Sequence, residues 1–176
     1  MVIPILTILF LVVKMKRLLV ILLFCAFKAN ANPLYKLENE IYVCGFKTYH
    51  QKFMTLCIDT NQQYLVYRFG SENKVELEYP KDKTKSWELF VYSFYYRGGG
   101  KENAALDLNE LTFKKGDYSY KVYQYWSAET EETECGIEVK NTRKNRISTI
   151  RCNPLEILGS LGSLRFSNKI IIGEDL

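Results

Sequence analysis

Beyond residue 32 the chain alternates between apolar and polar positions with the period of two that a half-buried β-strand requires. In VELEY, Val75, Leu77 and Tyr79 share one face, whereas Glu76 and Glu78 share the other. The segments YLVYRF, WELFVYSFYY, YSYKVYQYW and CGIEVK have the aromatic and β-branched composition of strands. The pattern predicts an all-β fold, a small antiparallel β-barrel or sandwich.

Turn-forming residues separate these segments, which supports short consecutive strands. The turns are predicted at Asp59 to Asn61, Gly70 to Asn73, Pro80 to Lys85, Arg97 to Lys101 and Lys115 to Asp117.

The alternation changes phase in one segment. Leu106 and Leu108 share a parity, but Leu111 and Phe113 have the other, and a regular strand cannot place both pairs on one face. We therefore expect a bulge or a short turn at Asn109-Glu110.

One short C-terminal helix is predicted in NPLEILGS. Asn153 can cap it, Pro154 suits its first turn and Gly159 can end it.

The N-terminal pattern is that of a secretory signal peptide. Lys16 and Arg17 provide a basic start, Leu18–Phe27 is apolar, and the small residues Ala29 and Ala31 precede the cleavage point.

We predict that residues 1–31 are a signal peptide, with Met15 as an alternative start, and that residues 32–176 are a single exported β-domain. Each apolar run is short for a membrane span and the basic stretch KMKR separates the two runs, so we expect no stable membrane anchor after cleavage.

Cleavage changes the charge balance. Of the 24 basic residues, four precede Asn32, and none of the 20 acidic residues does, so the chain from Asn32 onward carries 20 of each. Net charge therefore does not favour nucleic acid or an anionic membrane as a partner.

Cys25 leaves with the signal peptide, and four cysteines remain. An even number in an exported chain favours two disulfides, which we predict to be the local pairs Cys44–Cys57 and Cys135–Cys152. A zinc site of four cysteines is the competing interpretation, but no two of them have the close spacing of a zinc knuckle.

Candidate catalytic groups are few. His50 is the only histidine, which excludes a multi-histidine metal site, and it lies in a polar stretch expected to be a solvated loop. The carboxylate pairs Glu76/Glu78 and Asp107/Glu110 could serve a hydrolase, although the first pair has the pattern of a solvated strand face. We predict no enzyme activity, no catalytic residues, no metal and no cofactor.

The triple glycine in YYRGGGKE lacks the spacing of a phosphate-binding loop. It is expected to form an exposed tip between two strands, where glycine permits positive φ, and Gly99→Val is expected to fold. Because tyrosine and arginine anchor many interfaces, we predict partner binding by seven residues: Tyr95, Tyr96, Arg97, Gly98, Gly99, Gly100 and Lys101.

Aromatic residues occupy both parities of YSYKVYQYW. The alternation leaves open whether these rings pack across strands or form a binding surface for protein or sugar.

The segments YLVYRFGSENKVELEYP, YYRGGGKENAALDLNELTF and YSYKVYQYW resemble a group of uncharacterised small exported proteins of Gram-negative bacteria. This resemblance covers most of the chain beyond the signal peptide and implies no particular activity.

A more distant resemblance, carried by the predicted architecture and by Tyr42 and Cys44 in YVC, is to periplasmic lysozyme inhibitors. Those small β-barrels push a loop into the active-site cleft of the enzyme. They usually show an SASG or SGxxY element where this chain has YRGGGKE, so no residue role is carried over and the analogy is one of fold.

We therefore predict a periplasmic or secreted protein-binding module, an inhibitor or immunity protein against a peptidoglycan-degrading enzyme such as a lysozyme or a secreted toxin. The alternative is an envelope structural or glycan-binding β-domain without inhibitory activity. A third hypothesis is a hydrolase that uses its carboxylates.

Overall fold

The computed structural model describes residues 35–176, and the predicted signal peptide at residues 1–31 lies outside them. The described residues form ten strands: β1 (Glu40–Thr48), β2 (Phe53–Asp59), β3 (Leu65–Ser71), β4 (Lys74–Tyr79), β5 (Phe90–Arg97), β6 (Leu106–Lys115), β7 (Tyr118–Ser127), β8 (Glu132–Asn141), β9 (Arg146–Gly159) and β10 (Ile171–Ile172). Three short 3-10 helices complete them: η1 (Ser86–Leu89), η2 (Lys101–Asn103) and η3 (Leu161–Phe166).

All ten strands belong to one sheet, in the order β10-β5-β6-β7-β8-β9-β1-β2-β3-β4. Its pairs are antiparallel except for the short parallel pair of β10 with β5. The sheet curls into a half-barrel, which confirms the all-β prediction. The predicted barrel is not closed by hydrogen bonds, because β4 and β10 are the two edges of the sheet.

Between residues 35 and 176, none of the helical segments has the length and apolar character needed to cross a membrane.

β9 joins the two parts of the sheet. Arg151 lies opposite Gly136 of β8, whereas Cys152, the next residue, lies opposite Thr48 of β1. The disulfide between Cys135 and Cys152 lies where β9 passes from one partner to the other, and its Cα atoms are 5.4 Å apart. This bond ties β8 to β9 at the point where β9 changes its partner.

The predicted helix at Asn153 is wrong. Residues 153–159 belong to β9: Ile157 pairs with Phe46 and Leu158 with Gly45, after a register shift that separates them from the pair of Cys152 with Thr48. Pairing with β1 on both sides of this irregularity keeps the segment extended and outweighs the local capping signals. The helical segment at this end of the chain is η3, which begins at Leu161.

Phe113 of β6 lies at the centre of the core. Its ring centroid is 4.9 Å from that of Tyr67 (β3), 4.5 Å from Tyr79 (β4), 5.4 Å from Phe90 (β5) and 4.8 Å from Tyr120 (β7). The ring of Phe113 therefore packs β3 and β4, at one end of the sheet, against β5 and β7, near the other end.

A buried ion pair stabilises the β1–β4 part. The guanidinium of Arg68 donates to both carboxylate oxygens of Glu40 at 2.7 Å, to Glu78 at 2.8 Å and to the carbonyl of Tyr35 at 2.9 Å. The amide of Leu37 donates to the same carboxylate. Burial raises the pKa of Glu40, but these hydrogen bonds outweigh it and hold that pKa below its ordinary value.

The predicted Cys135–Cys152 disulfide is present, but the predicted Cys44–Cys57 disulfide is not: both of these cysteines are free and buried. The reason is a β-bulge at Val43. Tyr42 lies opposite Cys57, but after the bulge Cys44 lies opposite Leu56. Cys44 thus shares the core face with Leu56, whereas Cys57 is directed to the other face.

We expect Phe113→Ala to lower the free energy of unfolding by about 3–5 kcal/mol, because it removes a ring that packs against four others. Urea unfolding followed by tryptophan fluorescence measures this. Phe166→Ala is the matched control, since that ring is 91 % exposed, and it should change stability by less than about 0.5 kcal/mol. Equal effects of the two substitutions would contradict the central position of Phe113.

Peptide mapping without reduction should recover one cross-linked peptide, which contains Cys135 and Cys152. Cys44 and Cys57 should react with iodoacetamide only after unfolding, since both thiols are buried. Cys135→Ser/Cys152→Ser should cost about 3 kcal/mol, the value expected for a loop of this size. A Cys44–Cys57 cross-linked peptide would contradict the register of β1.

Candidate functional site

The triple glycine connects β5 to β6 and has a defined conformation. Gly99 and Gly100 have φ angles of 97° and 66°. The carbonyl of Gly98 accepts a hydrogen bond of 2.8 Å from the side chain of Asn103, and the carbonyl of Gly100 accepts one from the amide of Ala105. The predicted tip at Arg97 to Lys101 is shorter in the structure, because Arg97 ends β5 half-buried and Lys101 begins η2. Gly99 and Gly100 are exposed, and the connection is held by its own hydrogen bonds.

The predicted anchors do not form one surface. Tyr95 and Tyr96 are consecutive strand residues, so they project from opposite faces of β5. Arg97 donates from Nε and Nη2 to the carbonyl of Ala104 and thereby closes the loop. Lys101 is exposed and forms a surface ion pair of 3.4 Å with Glu131. Among the seven residues predicted to bind a partner, Tyr96 is the one that lies on the core face and is nevertheless highly exposed, at 61 %.

We define the aromatic rim as Tyr96, Asp107, Trp126 and Arg165. In the register of β5, β6 and β7, Tyr96 lies opposite Asp107 and Asp107 lies opposite Trp126. Directly opposite residues share a face, so these three side chains form a row on the core face, beside the glycine loop. Trp126 is 39 % exposed.

Arg165 reaches this row from η3. Its guanidinium carbon lies 5.0 Å from the ring centroid of Phe94 and 5.1 Å from that of Tyr96, within cation–π range. Nη2 donates to the carboxylate of Asp107 and, at 2.8 Å, to the side-chain oxygen of Asn109. Its buried Nε atom has no hydrogen-bond partner within residues 35–176.

Polar groups below the rim hold these side chains in place. The hydroxyl of Tyr92 donates to the Oδ1 atom of Asn109 at 2.5 Å, and Nδ2 of Asn109 donates to Asp107 at 2.8 Å. Burial raises the pKa of Tyr92 to about 12, although the positive charge of Arg165 opposes that rise. Tyr92 is therefore a neutral hydrogen-bond donor at physiological pH.

The predicted break at Asn109-Glu110 is wrong. β6 keeps a continuous register with both neighbours from Leu106 to Lys115. The phase change has a different origin, because the core-face positions before Leu111 are held by Asp107 and Asn109, which bind Arg165. The change in periodicity thus marks the polar part of the site.

The candidate carboxylates are engaged in ion pairs or lie on opposite faces of a strand. Glu76 pairs with Lys52, and Glu78 is bound to Arg68. Asp107 and Glu110 project from opposite faces of β6, since they are an odd number of residues apart in a continuous strand.

His50 is exposed in the turn between β1 and β2, as expected. In the described part of the chain, no group of three or more histidine, cysteine, aspartate or glutamate side chains is placed to hold a metal ion.

Sequence reasoning missed Trp126 and Arg165 as site residues. The alternation in β7 placed Trp126 on the face of Tyr120 and Val122, and this was a usable signal. No comparable signal marked Arg165, because it is 58 residues from Asp107 along the chain and the two side chains meet only in the folded protein.

No known protein family, curated protein or solved structure matches this chain.

We expect Gly99→Ala to destabilise the protein by about 1–3 kcal/mol, because φ at this residue is 97° and the new Cβ would lie 2.8 Å from Cβ of Asn103. The expectation that valine is tolerated there is therefore reversed. Gly98→Ala is the matched control, since its nearest neighbour would be 3.5 Å away and its φ is not positive. Thermal unfolding of both variants tests this, and equal midpoints would show that the loop conformation does not require Gly99.

Proposed function

We propose that this protein is an exported protein-binding module, and that the aromatic rim and the adjoining glycine loop contact a secreted or periplasmic protein. The proposed partner is a peptidoglycan-degrading enzyme, a lysozyme or a secreted toxin, which the module inhibits. The observation that carries the proposal is the row of Tyr96, Asp107 and Trp126 with Arg165 across it.

The composition of the rim supports binding to a protein. Tryptophan, tyrosine and arginine are the residues most often found as energetic hot spots of interfaces, and the rim contains one of each. Tyr96 is 61 % exposed and Trp126 is 39 % exposed, so both rings leave a large apolar area in water.

The rigidity of the rim supports the same proposal. Arg165 is held by Asp107 and Asn109, and its guanidinium in turn covers the ring of Tyr96. Side chains already fixed in the free protein lose little conformational entropy when a partner binds. The glycine loop lies at the same end of the sheet and is held by its own hydrogen bonds.

Two further observations are consistent with an exported inhibitor. The Cys135–Cys152 disulfide is of a kind that persists in oxidising compartments. The carboxylates that could have served a hydrolase are instead engaged in ion pairs, as Glu78 is with Arg68.

A panel of lysozymes and muralytic toxins provides the test. We expect at least one to bind and to lose activity, and Trp126→Ala to weaken that complex by about 1–3 kcal/mol because the substitution removes an exposed anchor. Titration calorimetry measures the affinity. Tyr118→Ala is the matched control, since Tyr118 is 43 % exposed on the same face of β7 at its other end.

Two results would contradict the proposal. One is the absence of any complex across the panel. The other is a complex in which Trp126→Ala and Tyr118→Ala bind as the parent protein does, which would place the interface elsewhere on the molecule.

A further inference from the structure

A concave surface lies on the outer face of the sheet, opposite the core face on which the aromatic rim is built. It has a volume of about 690 Å³ and is formed where β9 passes from β8 to β1. Its lining includes five side chains that can contact a ligand: Tyr49, Tyr123, Glu134, Arg151 and Asn153. We call this surface the outer cleft.

The strand register explains the floor of the outer cleft. Tyr123, Gly136 and Arg151 lie opposite one another on β7, β8 and β9. A Cβ atom at Gly136 would lie 2.7 Å from the hydroxyl of Tyr123, so the tyrosine ring covers the space that a larger residue would fill. Tyr49 continues the row, because its amide donates to the carbonyl of Arg151.

The polar groups of the outer cleft are available to a ligand. Arg151 and Glu134 are exposed, and neither forms an ion pair with another residue in the range 35–176. Asn153 accepts a hydrogen bond from the amide of Leu155 through Oδ1, which leaves its NH₂ group as a donor. The ring of Tyr49 is 61 % exposed.

We propose that the outer cleft binds a neutral oligosaccharide. Sugar hydroxyl groups both donate and accept hydrogen bonds, and the cleft offers the donors Arg151 and Asn153 beside the acceptor Glu134. The apolar face of a sugar ring can lie on an exposed aromatic ring, and Tyr49 provides one. The volume is within the range of small-ligand sites.

The charges of the cleft select against ionic ligands. Glu131 is paired with Lys101, but Glu132 and Glu134 still outnumber Arg151, so an anionic polysaccharide would be repelled. A lysine-rich peptide would be attracted to these acids, but it would meet the guanidinium of Arg151 on the floor of the cleft. A neutral ligand can use both kinds of group.

Calorimetric titration of the purified protein with neutral trisaccharides tests the proposal, with maltotriose, cellotriose and tri-N-acetylchitotriose as probes at up to about 10 mM, enough to detect millimolar affinity. We expect saturable binding of at least one probe. Tyr49→Ala and Arg151→Ala should each weaken it at least about tenfold. Tyr118→Ala, which alters an exposed ring outside the cleft, should not change it.

Absence of saturable binding for all three trisaccharides would overturn the proposal. So would binding that survives both cleft substitutions, or trilysine binding that is lost in Glu134→Gln while no sugar binds. The Trp126→Ala variant separates this inference from the proposed function, because it should weaken binding of the protein partner and leave sugar binding unchanged.

Discussion

The structure depends on the change of partner that β9 makes at Cys152. Up to Arg151 this strand extends the part of the sheet that contains β5 to β8, and from Cys152 it pairs with β1. The disulfide fixes that point, and the ring of Phe113 packs the two parts together across the core. Both candidate surfaces follow from this arrangement: η3, which comes after β9, delivers Arg165 to the aromatic rim, and the outer cleft is lined by residues on either side of the point where β9 changes partner.

Strands such as β8 could be predicted because burial of one face produces alternation of apolar and polar residues in the sequence. β3 is buried on both faces, and its aromatic and β-branched composition predicted it instead. The aromatic rim could be predicted only in part. The phase change between Leu108 and Leu111 was visible, but it was attributed to a bulge or a short turn. Its actual cause, the contact of Asp107 with Arg165 of η3, cannot be read from the local sequence. Strand geometry alone predicts that Tyr95 and Tyr96 project from opposite faces. The hydrogen bond from Arg97 to the carbonyl of Ala104 could be seen only in the structure.

The wrong disulfide prediction has a different physical reason. Chain separation favoured Cys44–Cys57, and continuation of the register that pairs Tyr42 with Cys57 would have placed both on one face. A single extra residue at Val43 reverses the face of Cys44. No turn residue or glycine marks that position, so local sequence could not reveal the bulge. The pair Cys135–Cys152 was predictable because the register between β8 and β9 is regular up to that point.

The ion pair of Arg68 and Glu40 limits how far the N-terminus can be trimmed by proteases. The carbonyl of Tyr35 and the amide of Leu37 are backbone groups of the segment before β1, yet they complete the hydrogen bonding of two buried charges. A peptidase that cuts after the predicted site at Ala31 leaves three residues before Tyr35. A cut beyond Tyr35 would deprive a buried guanidinium of an acceptor, so we expect removal of Tyr35 to destabilise the part of the sheet formed by β1 to β4.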